Sequence, residues 1–175
     1  LAYLGGFALF LDPGRGPGRV ASLIPYVLVV VVWRAVWSHL GYGVANIGLY
    51  VDPLREPFRF ACELAIKSPV CLLGQLSVPP SDLAMLLEGR AERVFVLLAA
   101  AFGAFVLAVW RPLLRQNRLA CFWLTGMLLS LIPICTTFPS DRMLLFAGLG
   151  GMALVSEFLS FVLTVPGKSQ RMGWR

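Results

Sequence analysis

The chain predicts an all-α, polytopic membrane protein: about four complete transmembrane helices follow a truncated first one, with interfacial helices in one long outer connection. Three observations carry that expectation. Of the 175 residues, 58% are hydrophobic and only 14% charged, far from the mix of a soluble domain. The apolar residues gather in runs of about 20, enough to cross about 30 Å of hydrocarbon at about 1.5 Å per residue. The basic residues sit in the gaps between those runs, where they orient a chain in the membrane. The whole of 1–175 reads as one transmembrane domain, a fragment of a longer chain.

The first run, LAYLGGFALFL, is too short to span and lacks the basic start and cleavage site of a signal peptide. It reads as the tail of a helix whose beginning, with further N-terminal helices of the same chain, is missing. Asp12 ends it, and DPGRGPGR is a Gly/Pro turn carrying Arg15 and Arg19. Ala21–Leu40 is the first complete span, with Pro25 in its first turns, where proline costs least. The β-branched run Val29–Val32 favours strand in water, but in lipid a lone strand leaves its backbone unsatisfied, so helix wins. Trp33, Trp37 and His39 crowd the far end as an aromatic belt does.

Residues 41–90 form the extracytoplasmic connection. The glycines at 41, 43 and 48 disfavour a helix at its start. Arg55, Arg59, Glu63 and Lys67 then recur every fourth residue, one stripe of an interfacial helix in which Arg59, Glu63 and Lys67 can pair. Ser68-Pro69 reads as the start of a second short segment, VCLLGQLSV, which Pro79-Pro80 stops before Ser81-Asp82 opens the next helix. Ala91–Trp110 is the next span, and its Ala99–Gly103 spacing permits close helix approach. The last two spans, Leu119–Phe138 and Met143–Val165, fold about Pro139-Ser140-Asp141-Arg142. The tail carries Lys168, Arg171 and Arg175.

Orientation follows from charge. With 12–19 in the cytoplasm, strict alternation also puts 111–118 and 166–175 inside, each rich in Arg or Lys and free of acid. The connection 41–90 and the tip 139–142 then share the outer face. Had Leu64–Val78 crossed instead, the later basic clusters would be turned outward.

The net charge of +6 is explained by this bias, and no basic stripe interleaved with aromatics points to nucleic acid. The four cysteines include no C-x-x-C pair, and His39 is the sole histidine, so neither a metal site nor a cofactor is expected. No G-x-x-x-x-G-K-[ST] loop occurs. Cys121 and Cys135 read as small core residues, whereas a Cys62–Cys71 disulfide stays open for an extracytoplasmic loop.

Among charged residues, Arg142 at the outer end of the last span is either a phosphate clamp or an interfacial anchor paired with Asp141 or lipid headgroups. Arg34, two turns inside its span, either faces a cavity or snorkels to the surface. Asp52, Arg55 and Glu56 form a cluster in the outer connection, suited to general acid–base work or merely solvated. Glu157, in the last span, pairs with a helix outside 1–175, sits protonated against Ser156 and Ser160, or couples protons or ions.

Leu131-Ile132-Pro133, Phe138-Pro139, Asp141-Arg142-Met143-Leu144-Leu145-Phe146 and Gly148-Leu149-Gly150 together form a pattern. It resembles the "LLP … P … R-x-L-[YL] … G" segment of GT-C-type glycosyltransferases, the nearest being O-mannosyltransferases that carry tetratricopeptide repeats. Leu9-Phe10-Leu11-Asp12 is similar to the "LLYD" helix end of that group, and GYGVANIGLYVDPLREP with LLGQLSVPPSDL is similar to bacterial membrane proteins of this broad type. The resemblance implies sugar transfer from a polyprenyl-phosphate donor on the outer face, with Arg142 at the lipid phosphate. Asp141, Arg34, Asp52 and Arg55, charged residues of the tip, the neighbouring span end and the outer connection, are further substrate-binding candidates. The family's catalytic acid lies in its first outer loop, upstream of this chain, so no residue here is assigned as catalytic. Met143-Leu144-Leu145-Phe146 departs from the tyrosine-containing version. Two other classes stand beside this one: a non-enzymatic membrane subunit or scaffold, and a transporter segment using Arg34 and Glu157. A cleft lined by Arg34, Asp52 and Arg142 would favour the enzyme.

Overall fold

The computed structural model describes residues 1–13, 17–42 and 50–163. Among these, helix is the only regular structure: α1 Ala2–Phe10, α2 Pro17–Ala21, α3 Ile24–His39, α4 Pro57–Leu76, α5 Arg90–Gln116, α6 Arg118–Ile134 and α7 Leu145–Leu163. Short 3-10 turns at Ser81–Leu86 and Asp141–Met143 complete it. Arg15, the glycines at 43 and 48, and the tail with Lys168, Arg171 and Arg175 lie outside the described residues.

Helix α6 is the axis of the fold, with α1 on one side and α7 on the other. Glycines make that approach close. A Cβ at Gly126 would lie 2.2 Å from the Tyr3 ring, and one at Gly150 would lie 2.8 Å from the Trp123 carbonyl oxygen. The Tyr3 hydroxyl donates to the Phe146 carbonyl and ties α1 to α7. Met127, Leu131, Ala147 and Leu154 fill the seam, all fully buried. Gly103 does not serve as its spacing suggested: the space beside it is open, and only Ala99 packs inward, with Val70, Leu73 and Phe95.

Helix α4 lies against α5 and reaches α7 and the tip between α6 and α7. It runs unbroken through Pro69 rather than restarting there. An interior proline costs about 3 kcal/mol in one lost bond and a carbonyl clash. Burial of Val70, Cys71 and Leu73 just beyond it offsets that cost. The stripe on its first half pairs as Arg59–Glu56 at 3.0 Å and Lys67–Glu63 at 3.1 Å, so Arg59 turns back rather than forward.

Two helices, α5 and α7, are long and apolar enough to cross a bilayer. The other two expected spans are shorter, 16 residues in α3 and 17 in α6. Local chemistry sets those ends. Helix α3 stops just before Gly41, whose φ of +71° belongs to the left-handed region. Helix α6 stops at Ile134, where the Thr136 and Thr137 hydroxyls donate to the Pro133 and Ile134 carbonyls at 2.7 and 3.1 Å. Helix α5 instead overruns its expected end through Pro112 to Gln116, which puts Arg111 and Arg115 on the helix. Asn117 alone separates it from α6.

Candidate functional site

The tip between α6 and α7 is built by side chains from far along the chain. Asp141 opens its 3-10 turn, and its Oδ1 accepts from the Ser81 amide at 2.9 Å and the Ser81 hydroxyl at 2.6 Å. Ser81 is completely buried, so both of its donors depend on this carboxylate. Gly74 makes the contact feasible: a Cβ there would stand 2.6 Å from the Ser81 nitrogen and 2.9 Å from Asp141 Oδ1. Lys67 donates to the Thr137 carbonyl, and the Val51 amide donates to the Thr136 carbonyl at 2.8 Å. The connection 41–90 therefore meets the tip at Val51, Lys67 and Ser81.

Arg142 is on the same turn but serves differently. It is exposed, and among the described residues it has no hydrogen-bond or ion-pair partner; Asp141 is committed to Ser81 instead. It stands in a groove of about 780 Å³ with Gln75, Leu145, Leu149 and Met152. The three apolar residues follow one another by four and three positions, so they form one strip down α7. Gln75 reaches across from α4 over Gly148, where a Cβ would meet its amide nitrogen and oxygen at 2.9 Å. Among the described residues that amide has no hydrogen-bond partner. Sequence reading passed over Gln75; its one signal was an uncharged polar residue inside the apolar LLGQL.

The remaining candidates gather elsewhere. Arg34 pairs with Asp52 at 2.8 Å, and its guanidinium lies 4.9 Å from the Trp37 ring centre. Asp52 Oδ1 also accepts from the Leu54 amide at 3.0 Å. Arg55 is exposed on the turn that follows, its backbone amide donating to the Asp52 carbonyl at 3.2 Å. Neither Arg34 nor Asp52 lines the Arg142 groove, nor a second groove of about 770 Å³ that Tyr3, Leu129, Pro133 and Phe146 border between α1 and α6. Glu157 accepts from the Asn117 side-chain amide at 2.8 Å, while Asn117 Oδ1 caps α6 through the Leu119 amide at 2.9 Å. That places a carboxylate at the positive end of α6, where it is stabilised. Asp141 and Arg142 are thus brought together with Gln75, and Arg34, Asp52 and Arg55 form a separate group.

The expected Cys62–Cys71 pairing is not supported by placement: Cys62 is exposed on α4, whereas Cys71 is buried. Cys71 instead faces Cys135, whose side-chain hydrogen bond pushes the Cys71 thiol above its ordinary range, with burial adding to the effect.

The Arg142 groove has the chemistry of a binding site. A guanidinium and an amide offer several N–H donors at one end, and an apolar strip continues from them. Its carboxylate is held as an acceptor for Ser81 and is not presented as a base. No protein family, curated protein or solved structure matches the chain.

Proposed function

We propose that this chain is the membrane-embedded part of a GT-C-like glycosyltransferase of the bacterial inner membrane, and that Arg142 holds the phosphate of a polyprenyl-phosphate sugar donor on the outer face. One observation carries the reading: Arg142, without a protein partner among the described residues, stands with Gln75 at the polar end of a groove whose wall is the Leu145, Leu149 and Met152 strip. A guanidinium binds phosphate oxygens through paired donors and stays charged beside lipid. The strip suits an isoprenoid chain running from that phosphate.

Outward-facing apolar surface supports the bilayer setting. Only 17% of the most apolar window of α5 and 28% of that of α7 is buried in the fold, whereas the core helix of a soluble protein is mostly buried. In this reading α3, α5, α6 and α7 make four crossings, with the turns flanking α3 and α6 completing their length. The basic residues in 12–19, 111–118 and 166–175 then lie in the cytoplasm, and 41–90 and 139–142 lie outside. Surrounding lipids and further helices of the same chain cover the rest. In transfer, Arg142 neutralises the phosphate as it leaves, Gln75 orients it, and an acid supplied elsewhere in the full protein activates the acceptor hydroxyl.

The test compares full-length wild type with Arg142→Ala and Arg142→Lys at matched expression, using a polyprenyl-phosphate-linked sugar. Loss of a charge-assisted phosphate contact of about 2–3 kcal/mol lowers transfer by about 30- to 100-fold in Arg142→Ala, with partial recovery in Arg142→Lys. Equal transfer by wild type and Arg142→Ala would remove the clamp. Absence of turnover with every such donor would remove the enzyme.

A second reading, a non-enzymatic membrane subunit, is favoured by the Arg34–Asp52 pair, which satisfies its own charges away from Arg142. In that case Arg142→Ala changes the lipid that copurifies with the protein, and no transfer accompanies it.

A further inference from the structure

The cysteines of the outer face form a second feature, independent of the lipid groove. Cys71 and Cys135 are both completely buried and belong to one cluster, although 64 positions (135 − 71) separate them. The packing that brings them together is fixed from both sides. Glu63, Lys67 and Cys71 recur every fourth residue and share one face of α4. Lys67 on that face donates to the carbonyl of Thr137, two residues beyond Cys135. Below it, Gly74 admits Ser81 and Asp141 into contact. Between these two ties Cys71 and Cys135 lie fully buried in the same cluster, within reach of each other's side chains. Cys62, nine residues earlier on α4, is exposed, and Cys121 hydrogen-bonds the Leu114 carbonyl at 3.1 Å, so neither competes for either thiol.

We propose that Cys71 and Cys135 are oxidised to a disulfide that staples α4 to the end of α6 in the mature protein. The bond forms while the chain folds, before α4 closes over the tip, at the expense of the reactive disulfide of a thiol oxidoreductase. One cysteine thiolate attacks that disulfide, forms a mixed disulfide and expels one oxidoreductase thiolate. The second cysteine thiolate attacks the mixed disulfide and expels the other. Two electrons pass to the oxidoreductase disulfide, which becomes a dithiol, and the two cysteine protons end on its sulfurs. The Cys71–Cys135 link locks the segment bearing Gln75 against the turn bearing Arg142, whatever ligand that groove takes. It requires the tip to lie in an oxidising compartment and so rests on the outer placement of 139–142.

Free thiols of the full-length protein, expressed in membranes, are counted after denaturation with a maleimide carrying a polymer tag, with and without prior reduction. Scored by peptide mapping on the four cysteines of residues 1–175, Cys62 and Cys121 take the tag before reduction and all four take it after. Cys71→Ser and Cys135→Ser each leave three of these cysteines, all tagged without reduction. A peptide digest of wild type gives the 71–135 cross-link, about 2 Da lighter than the paired thiols. These wild-type readings do not depend on whether a variant folds. Four tags before reduction, or a cross-link joining other cysteines, overturns the proposal. Labelling of Met143→Cys, 42% exposed on the same turn, from one side of the membrane separates the causes: four tags with outside labelling sinks the disulfide alone, and four tags with cytosolic labelling sinks the outer placement too.

Discussion

The α6–α7 tip and helix α3 hold their places by opposite means. At the tip nearly every polar group is committed inward: Asp141 to Ser81, Lys67 to Thr137, and the threonine hydroxyls to the end of α6. Helix α3 buries none of its residues and is apolar nearly all round. Its one polar tie to the rest of the described fold is Arg34–Asp52. Trp33 and Trp37 stack on each other, with ring centres 6.1 Å apart, rather than on another helix. In a bilayer a leucine gains little by leaving lipid for protein, so helices stay together through small residues and polar contacts. The tip has both, and α3 has only its arginine.

If that contrast is right, substitutions at the tip damage the fold and equivalent ones on α3 do not. The largest effect is expected from Gly150→Leu, whose side chain would meet backbone of α6 rather than a flexible tip. Such overpacking costs about 3 kcal/mol or more. The variant should lose its thermal unfolding transition in detergent or shift it down by more than any other change made here. Asp141→Ala comes next. It strands two buried donors on Ser81 and costs about 2–3 kcal/mol. Asp141→Asn, which keeps the acceptor oxygen, should recover much of that loss. Val30→Ala on α3 should stay within about 0.5 kcal/mol, as outward-facing substitutions do. A large loss at Val30 would mean that α3 packs on protein, and the contrast would fail.

The same contrast explains what was legible in the chain. Helix content and the polar hinge at Pro139-Ser140-Asp141-Arg142 follow from local pattern, because run length and breakers act over a few residues. Charge alternation put the 41–90 connection and the tip on one side, and Ser81, Lys67 and Val51 do meet that tip. Partners were not legible. Nothing near Asp141 in sequence points to Ser81, 60 residues away, and nothing near Cys71 points to Cys135. Arg142 stands out in the sequence because an arginine at the start of an apolar run is conspicuous, whereas Gln75 does not, because an amide inside an apolar run is not. Helix boundaries failed where tertiary packing outweighed a breaker, as at Pro69, or where hydroxyls ended a helix early, as at Thr136 and Thr137.

The finest test lies in the single tie of α3. The Arg34 and Asp52 side chains are 31% and 18% exposed, so the pair opens to the protein surface and is not sealed in its core. A double-mutant cycle with Arg34→Leu and Asp52→Asn, read by unfolding in detergent, should give a coupling of about 1 kcal/mol or less. Arg34→Leu alone should cost little, because it also removes a charge from an apolar helix. A coupling of about 3 kcal/mol or more would belong to a buried pair whose partner is left stranded. The arginine would then fix α3 to the connection as firmly as Asp141 fixes the tip to Ser81, and polar locking would extend across the described fold instead of ending at α4.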